Sequence, residues 1–286
     1  DKYIHAGKIF DSSSGEYQLN KTIIISGNII SSIENGFIEP KNENTTVYDL
    51  KSKVLLPGLI DFHVHIEGES GGPERYISRF QDNKADVAFK SSVIAMKTLM
   101  AGFTTVRDVG GSGVNISLRN AINSGVVPGP RIFTSGKTIA STGGHGDRTN
   151  GLRDDFVNDP GPEQGVVNSI ADARKAVRYR YKNGADLIKI TATGGVMSLA
   201  KNGQNPQFTE EVIREIVKTA DDYGMHVAAH AHGDEGMFRA VNAGVTTIEH
   251  GSIMKERTMK LMREKNAYLV PTISAGEHVA KMARIP

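Results

Sequence analysis

The sequence has 286 residues, 38% of them hydrophobic, which suffices for one large domain or two ordinary ones with a sizeable core. Its 34 Lys and Arg nearly balance 32 Asp and Glu, so no net field points to nucleic acid or to an acidic membrane surface, and no apolar stretch approaches a membrane span. With no cysteine there is no disulfide framework, thiolate zinc site or cysteine nucleophile, so any metal must be held by His, carboxylate or a modified side chain.

Residues 1–56 read as short β-type runs broken by turn residues, "KYIHAGKIFD", "KTIIISGNIISSI" and "TTVYDLKSKVLL". Gly27-Asn28 between two Ile-rich runs predicts a tight hairpin. This stretch is a small β-rich module, and Pro57-Gly58 opens a second domain, residues 57–286, in which strands alternate with longer helical segments.

Strands are expected at about 59–66, 103–109, 131–135, 185–192, 225–230, 245–250 and 267–272. Amphipathic helices lie between most of them: "ADVAFKSSVIAMKTLMAG", "IADARKAVRYRYKNG", "TEEVIREIVKTADDYG", "GMFRAVNAG" and "ERTMKLMREKN". Several end on Gly just before the next strand, as in "LMAG-FTTV" and "DDYG-MHVA", the mark of a left-handed cap. The fold class expected is α/β, a TIM-type (β/α)8 barrel. Seven strands are counted, and the chain ends in "HVAKMARIP", within the helix after the seventh, so a C-terminally truncated chain is expected.

In such a barrel the C-terminal strand ends build the site. His63 and His65 end the first strand, Lys189 lies in the fourth, His230 ends the fifth and His250 the sixth. Residues two apart on a strand point the same way, so "HVH" offers two imidazoles to one ion. A hydrogen-bonded histidine pair would give the same spelling, but the convergence of His230 and His250 favours metal. An inward ammonium at Lys189 costs several kcal/mol unless paired or neutralised. Pairing with a carboxylate is one solution, and conversion to a carbamate by carbon dioxide is the other.

The residues that carry this chemistry resemble the amidohydrolase superfamily: "HVH" after "PGLID", Lys189 in the fourth strand, His230 in "AAHAHG" and His250 in "IEHG". "AGFTTVRDVGG", "GPRIFTSGKTIASTGGHGD", "GADLIKITATGGVMS" and "QNPQFTEEVI" look like its Xaa-Pro dipeptidase and carboxypeptidase branch. The resemblance covers essentially the whole chain and makes residues 1–56 part of a β-sandwich beside the barrel. It implies two divalent metal ions, usually zinc, one on His63 and His65 and one on His230 and His250. An N6-carboxylated Lys189 and a hydroxide would bridge them, and the hydroxide would cleave an amide bond of a dipeptide or at the C-terminus of a short peptide. The family's proton-transferring aspartate ends an eighth strand, which this chain does not contain, so negligible turnover is expected of the chain alone.

Further expectations concern the rim. His145 in "TGGHGDR" and His232 beside His230 are substrate-binding candidates, with Arg107 or Arg148 as weaker partners for a substrate carboxylate. "TGGV", residues 193–196, is either a backbone cradle or a plain turn. "GGSG", residues 110–113, lacks the Lys-Ser/Thr of a nucleotide loop. His5, His226 and His278 are structural or surface residues, and Arg178, Arg180 and Lys182 form a solvated helix face. Two alternatives stand beside the peptidase: hydrolysis of a cyclic amide or imidazolone-type ring, and a metal-binding but non-catalytic scaffold. The partners expected are a small peptide or amide substrate, with no nucleic acid and no membrane. A homo-oligomer is compatible with the sequence, and the compartment is open between the cytoplasm and, after loss of a leader, the periplasm or outside.

Overall fold

The computed structural model of the chain describes residues 1–69, 77–78, 80–196, 198 and 202–282. The chain divides into two units, Asp1–Leu59 and Ile60–Pro286.

In the first unit, β1 (Lys2–Asp11), β2 (Glu16–Ser26), β3 (Ile29–Asn35) and β4 (Thr46–Leu55) form one sheet in the order β3-β2-β1-β4. The β2–β3 hairpin turns on Gly27-Asn28, with Gly27 at φ 62°, a conformation that glycine adopts without a Cβ clash. His5 is buried and its Nε2 bonds the carbonyl of Ile38 at 2.9 Å, so it serves the sheet.

Among its described residues the second unit supplies seven strands: β5 (Leu59–Val64), β6 (Phe103–Asp108), β7 (Arg131–Thr134), β8 (Ile188–Thr191), β9 (Val227–Gly233), β10 (Thr247–Ile253) and β11 (Tyr268–Val270). They lie in two sheets, β5-β6-β7 and β11-β10-β9-β8, and β8 through β11 pair in parallel. The sheets meet where Ile139, beyond β7, exchanges backbone hydrogen bonds with Lys189 and Thr191 at 2.8 and 3.0 Å. Among the described residues the strands are accompanied by the helices α1 (Lys84–Met100), α2 (Val114–Asn123), α3 (Ile170–Lys182), α4 (Glu210–Asp221), α5 (Asp234–Asn242), α6 (Glu256–Lys265) and α7 (Ile273–Met282).

The strand parity follows from what each face meets. Ile188 and Ile190 of β8, Val227, Ala229 and Ala231 of β9, and Ile248 of β10 pack outward against Val177, Ile213, Ile216, Met237 and Val241 of the helices. Each of the large side chains contributes about 1.5–3 kcal/mol by leaving water. The alternate positions, which include Lys189, His230 and Glu249, therefore face the barrel interior. The predicted glycine caps occur: Gly102, Gly184, Gly224 and Gly244 all have positive φ, between 67° and 101°.

Two expectations need correction. Helix α2 was not foreseen, because "VNISLRNAIN" mixes Asn, Ser and β-branched residues and follows a glycine-rich run. Arg180 is not on a solvated face: it is 3% exposed, and its guanidinium donates to the backbone carbonyls of Lys137, Thr138 and Glu163.

Candidate functional site

The imidazoles of His63 and His65 reach the C-terminal end of β5, with ring centroids 5.3 Å apart. His230 comes from β9 and His250 from β10, and their rings stand 4.7 Å apart. His250 lies 4.8 Å from His63, which joins the two pairs into one cluster. By strand parity the side chain of His250 belongs on the outer face with Ile248. Its backbone, however, has a left-handed φ of 73°, which turns the ring toward the site.

His232, two residues after His230, stacks on His250 at 4.9 Å, and one ring nitrogen from each of His230, His232 and His250 falls within 4.8 Å of the others. His145, on the loop after β7, stacks on His230 at 4.3 Å. Its Nδ1 is buried without a hydrogen-bond partner. A Cβ at Gly195 would collide with the His145 ring, so "TGGV" is a close backbone approach to that ring.

Lys189 lies beneath this cluster, 3% exposed. Burial pushes its ammonium down to about 8, against the opposing pull of Glu249 and Asp108. Among the described residues no carboxylate is in ion-pair contact with it. The rings are held neutral: burial first, then the nearby Lys189 charge, lowers His63, and burial followed by His63 and Lys189 holds His250 at about 2. His145 falls to about 4 by burial and the Lys189 charge, and His230, the most deeply buried, goes well below its ordinary value by burial and the neighbouring His145.

The hydrogen bonds fix which nitrogen is available. His63 Nδ1 donates to the Glu249 carboxylate at 2.7 Å, and His65 Nδ1 donates to the carbonyl of Gly110 at 2.8 Å, so both present Nε2 lone pairs. His230 Nε2 donates to the carbonyl of Gly194 at 3.0 Å, leaving Nδ1 as its acceptor. His250 and His232 bond the hydroxyls of Thr272 and Ser252 through Nδ1 at 2.7 and 2.9 Å. Clustered imidazoles without a thiolate make a donor set that fits zinc or a similar divalent ion.

Sequence reasoning missed Glu249. Its side chain is wholly buried, and although burial alone would raise its carboxyl, the His63 hydrogen bond and the charges of Lys189 and Arg107 hold it at about 2. The available signal was parity, since Thr247 and Glu249 share the inward face that Lys189 and His230 occupy on their strands. Arg107 donates to Glu249 and to the carbonyl of Phe62, so its guanidinium is engaged inside the barrel. "GGSG" is also accounted for: Glu67 accepts from the N–H groups of Ser112 and Asn115 and fills the N-terminus of α2 with its own carboxylate. Asp108 accepts from Ile66 N, Gly110 N and the Asn115 amide, which braces the loops on either side of His65.

The amidohydrolase family model matches residues 54–286. A crystal structure of a Xaa-Pro dipeptidase with methionine bound in its active site is 52% identical, with a TM-score of 0.94 over 99% of this chain and 70% of that one. A prolidase complexed with N-methylphosphonate-L-proline is 35% identical, with a TM-score of 0.83 over 95% of this chain and 66% of that one. Ochratoxinase of Aspergillus niger is 32% identical over 96% of this chain and 59% of its own sequence, so this chain spans about three fifths of that relative. On the strength of the family match and the dipeptidase likeness, the chain belongs to the amidohydrolase family.

Proposed function

We propose that this chain provides the metal centre of a hydrolase that cleaves an amide bond in dipeptides or at the C-terminal residue of short peptides. The observation that carries the reading is the cluster of His63, His65, His230 and His250 with a buried Lys189 that has no carboxylate in ion-pair contact among the described residues. In this reading His63 and His65 hold one divalent ion and His230 and His250 another, both zinc. Such ions would supply Lewis acidity, polarising the scissile carbonyl and making a water acidic enough to attack at neutral pH.

The chain's own groups then have definite tasks. A lysine lowered by burial to about 8 reaches its free-amine form far more readily than an ordinary one, and that nitrogen can add to carbon dioxide with loss of one N–H proton. The product is an N6-carboxylated Lys189, an anion where an ammonium would repel both cations. Glu249 and the Gly110 carbonyl orient His63 and His65. His145, with its unpartnered Nδ1, and His232 lie beside His230 and take the substrate carboxylate.

Likeness to the dipeptidase and the prolidase supports peptides over cyclic amides as substrates. Zinc titration followed by calorimetry and elemental analysis tests the centre. Two ions per chain are expected, with one lost in His63→Ala and one in His230→Ala, and a chain that takes up no divalent ion overturns the reading. A panel of Xaa-Pro dipeptides, a cyclic amide and ochratoxin, assayed on a chain extended through an eighth strand with Lys189→Ala as control, separates the substrate classes.

A further inference from the structure

Resting on the metal reading above, we propose that Glu249 and Arg107 act as one unit of positioning residues that presents His63 to its ion as a single, fixed tautomer.

The carboxylate of Glu249 is completely buried and fully engaged. Oε2 accepts the Nδ1–H of His63 at 2.7 Å, while Oε1 accepts from Arg107 Nη2 at 2.5 Å and from the Thr247 hydroxyl at 2.6 Å. An ionised carboxylate only accepts, so the ring proton of His63 must sit on Nδ1 and its lone pair on Nε2. Arg107 holds the other side of the same residue: its Nε donates to the carbonyl of Phe62, immediately before His63, at 2.7 Å. Its Nη1 donates to the Thr247 oxygen at 3.1 Å, which settles the hydroxyl's direction, because its hydrogen then goes to Glu249.

The guanidinium therefore fixes both the backbone that carries His63 and the carboxylate that orients its ring. Three strands, β5, β6 and β10, are tied together by five hydrogen bonds among four side chains and one carbonyl. A second consequence concerns the carboxylate itself. A free Glu one hydrogen bond from a ligating imidazole would compete for the ion, and the Arg107 and Thr247 bonds to Oε1 prevent it from turning. Carboxylate partners of ligating histidines are worth about 10- to 100-fold in metal affinity.

The test compares the wild type with Glu249→Gln, Arg107→Met and the double variant by two readouts. Nitrogen-15 spectra of the metal-free chain report the tautomer of His63, and calorimetric zinc titration reports the two ions separately. The proposal expects His63 to be Nδ1–H in the wild type and mixed in each single variant. It also expects about a 10- to 100-fold loss at one ion only, with the double variant no worse than the poorer single, as for residues that act as a unit. An unchanged His63 tautomer, additive losses, or an equal weakening of both ions would overturn it and leave a merely structural role. If Glu249→Gln fails to fold by circular dichroism, Thr247→Val removes one bond to Oε1 and should shift both readouts in the same direction by less. A wild type that binds no zinc would sink the metal reading, whereas the tautomer spectra would still decide the positioning role.

Discussion

Asp108 shows how far one carboxylate can be pulled in opposite directions. Burial raises it to about 7, while the donors Gly110 N, Ile66 N and the Asn115 amide act to lower it. A folded value above the ordinary 3.8 means that the folded chain prefers the proton. Its contribution to stability is therefore complete below pH about 4 and is lost as pH rises to about 7, by an amount on the order of 4 kcal/mol at most. Denaturant midpoints of wild type and Asp108→Asn, measured between pH 4.5 and 7.5, should show the wild type losing ground to the variant as pH rises. A difference that stays flat would mean that the three donors keep Asp108 ionised throughout. Gly195 gives a second prediction at this scale. A methyl group there overlaps the His145 ring, so Gly195→Ala should cost about 1–3 kcal/mol and move His145 off His230, visible as a changed ring shift of His230.

At the scale of elements, the helix-to-strand junctions were legible because glycine before a strand is a backbone statement, independent of tertiary context. Gly224 ends α4 at φ 67°, where a Cβ meets no neighbouring atom but the backbone conformation itself is costly. Gly224→Ala should therefore destabilise by about 1–2 kcal/mol. Gly276 lies inside α7 with open space around it and no positive φ, so Gly276→Ala should stabilise by up to about 1 kcal/mol. Opposite signs from the same substitution, read by thermal unfolding, check both. Helix α2 was illegible for the complementary reason. Its start is stabilised by Glu67, a residue 47 positions before Val114 whose carboxylate replaces a local cap, and no local pattern announces such a partner. The histidines were legible because they end strands whose order could be counted. Glu249 was not, since a charged residue in a short strand reads as solvent-facing until the barrel shows that both faces are covered, and Arg107, expected at a substrate carboxylate, is instead engaged by Glu249 and the Phe62 carbonyl.

At the scale of the molecule, the cluster draws on both sheets of the second unit: His63 belongs to the sheet of β5 to β7, whereas Lys189, His230 and His250 belong to that of β8 to β11. Beside the links between β7 and β8, the Ile139 bridge and the paired bonds of Thr134 with Asp186, these sheets are joined across the interior by the Glu249 carboxylate and the Arg107 guanidinium. An ion on His63 and His65 would brace the first sheet and an ion on His230 and His250 the second, so metal should stabilise both. Each site saturated at 1,000 times its dissociation constant contributes about 4 kcal/mol to the folded state. Hydrogen exchange with and without zinc should therefore show slower exchange in β5 and in β9 and β10 alike, and chelation should reverse it in both. His63→Ala is the informative control: it keeps His230 and His250, so protection should persist at β9 and β10 and disappear at β5. Uniform loss everywhere would mean that a single ion serves the whole cluster, and protection confined to β9 and β10 in the wild type would place the metal on the His230, His232 and His250 group alone.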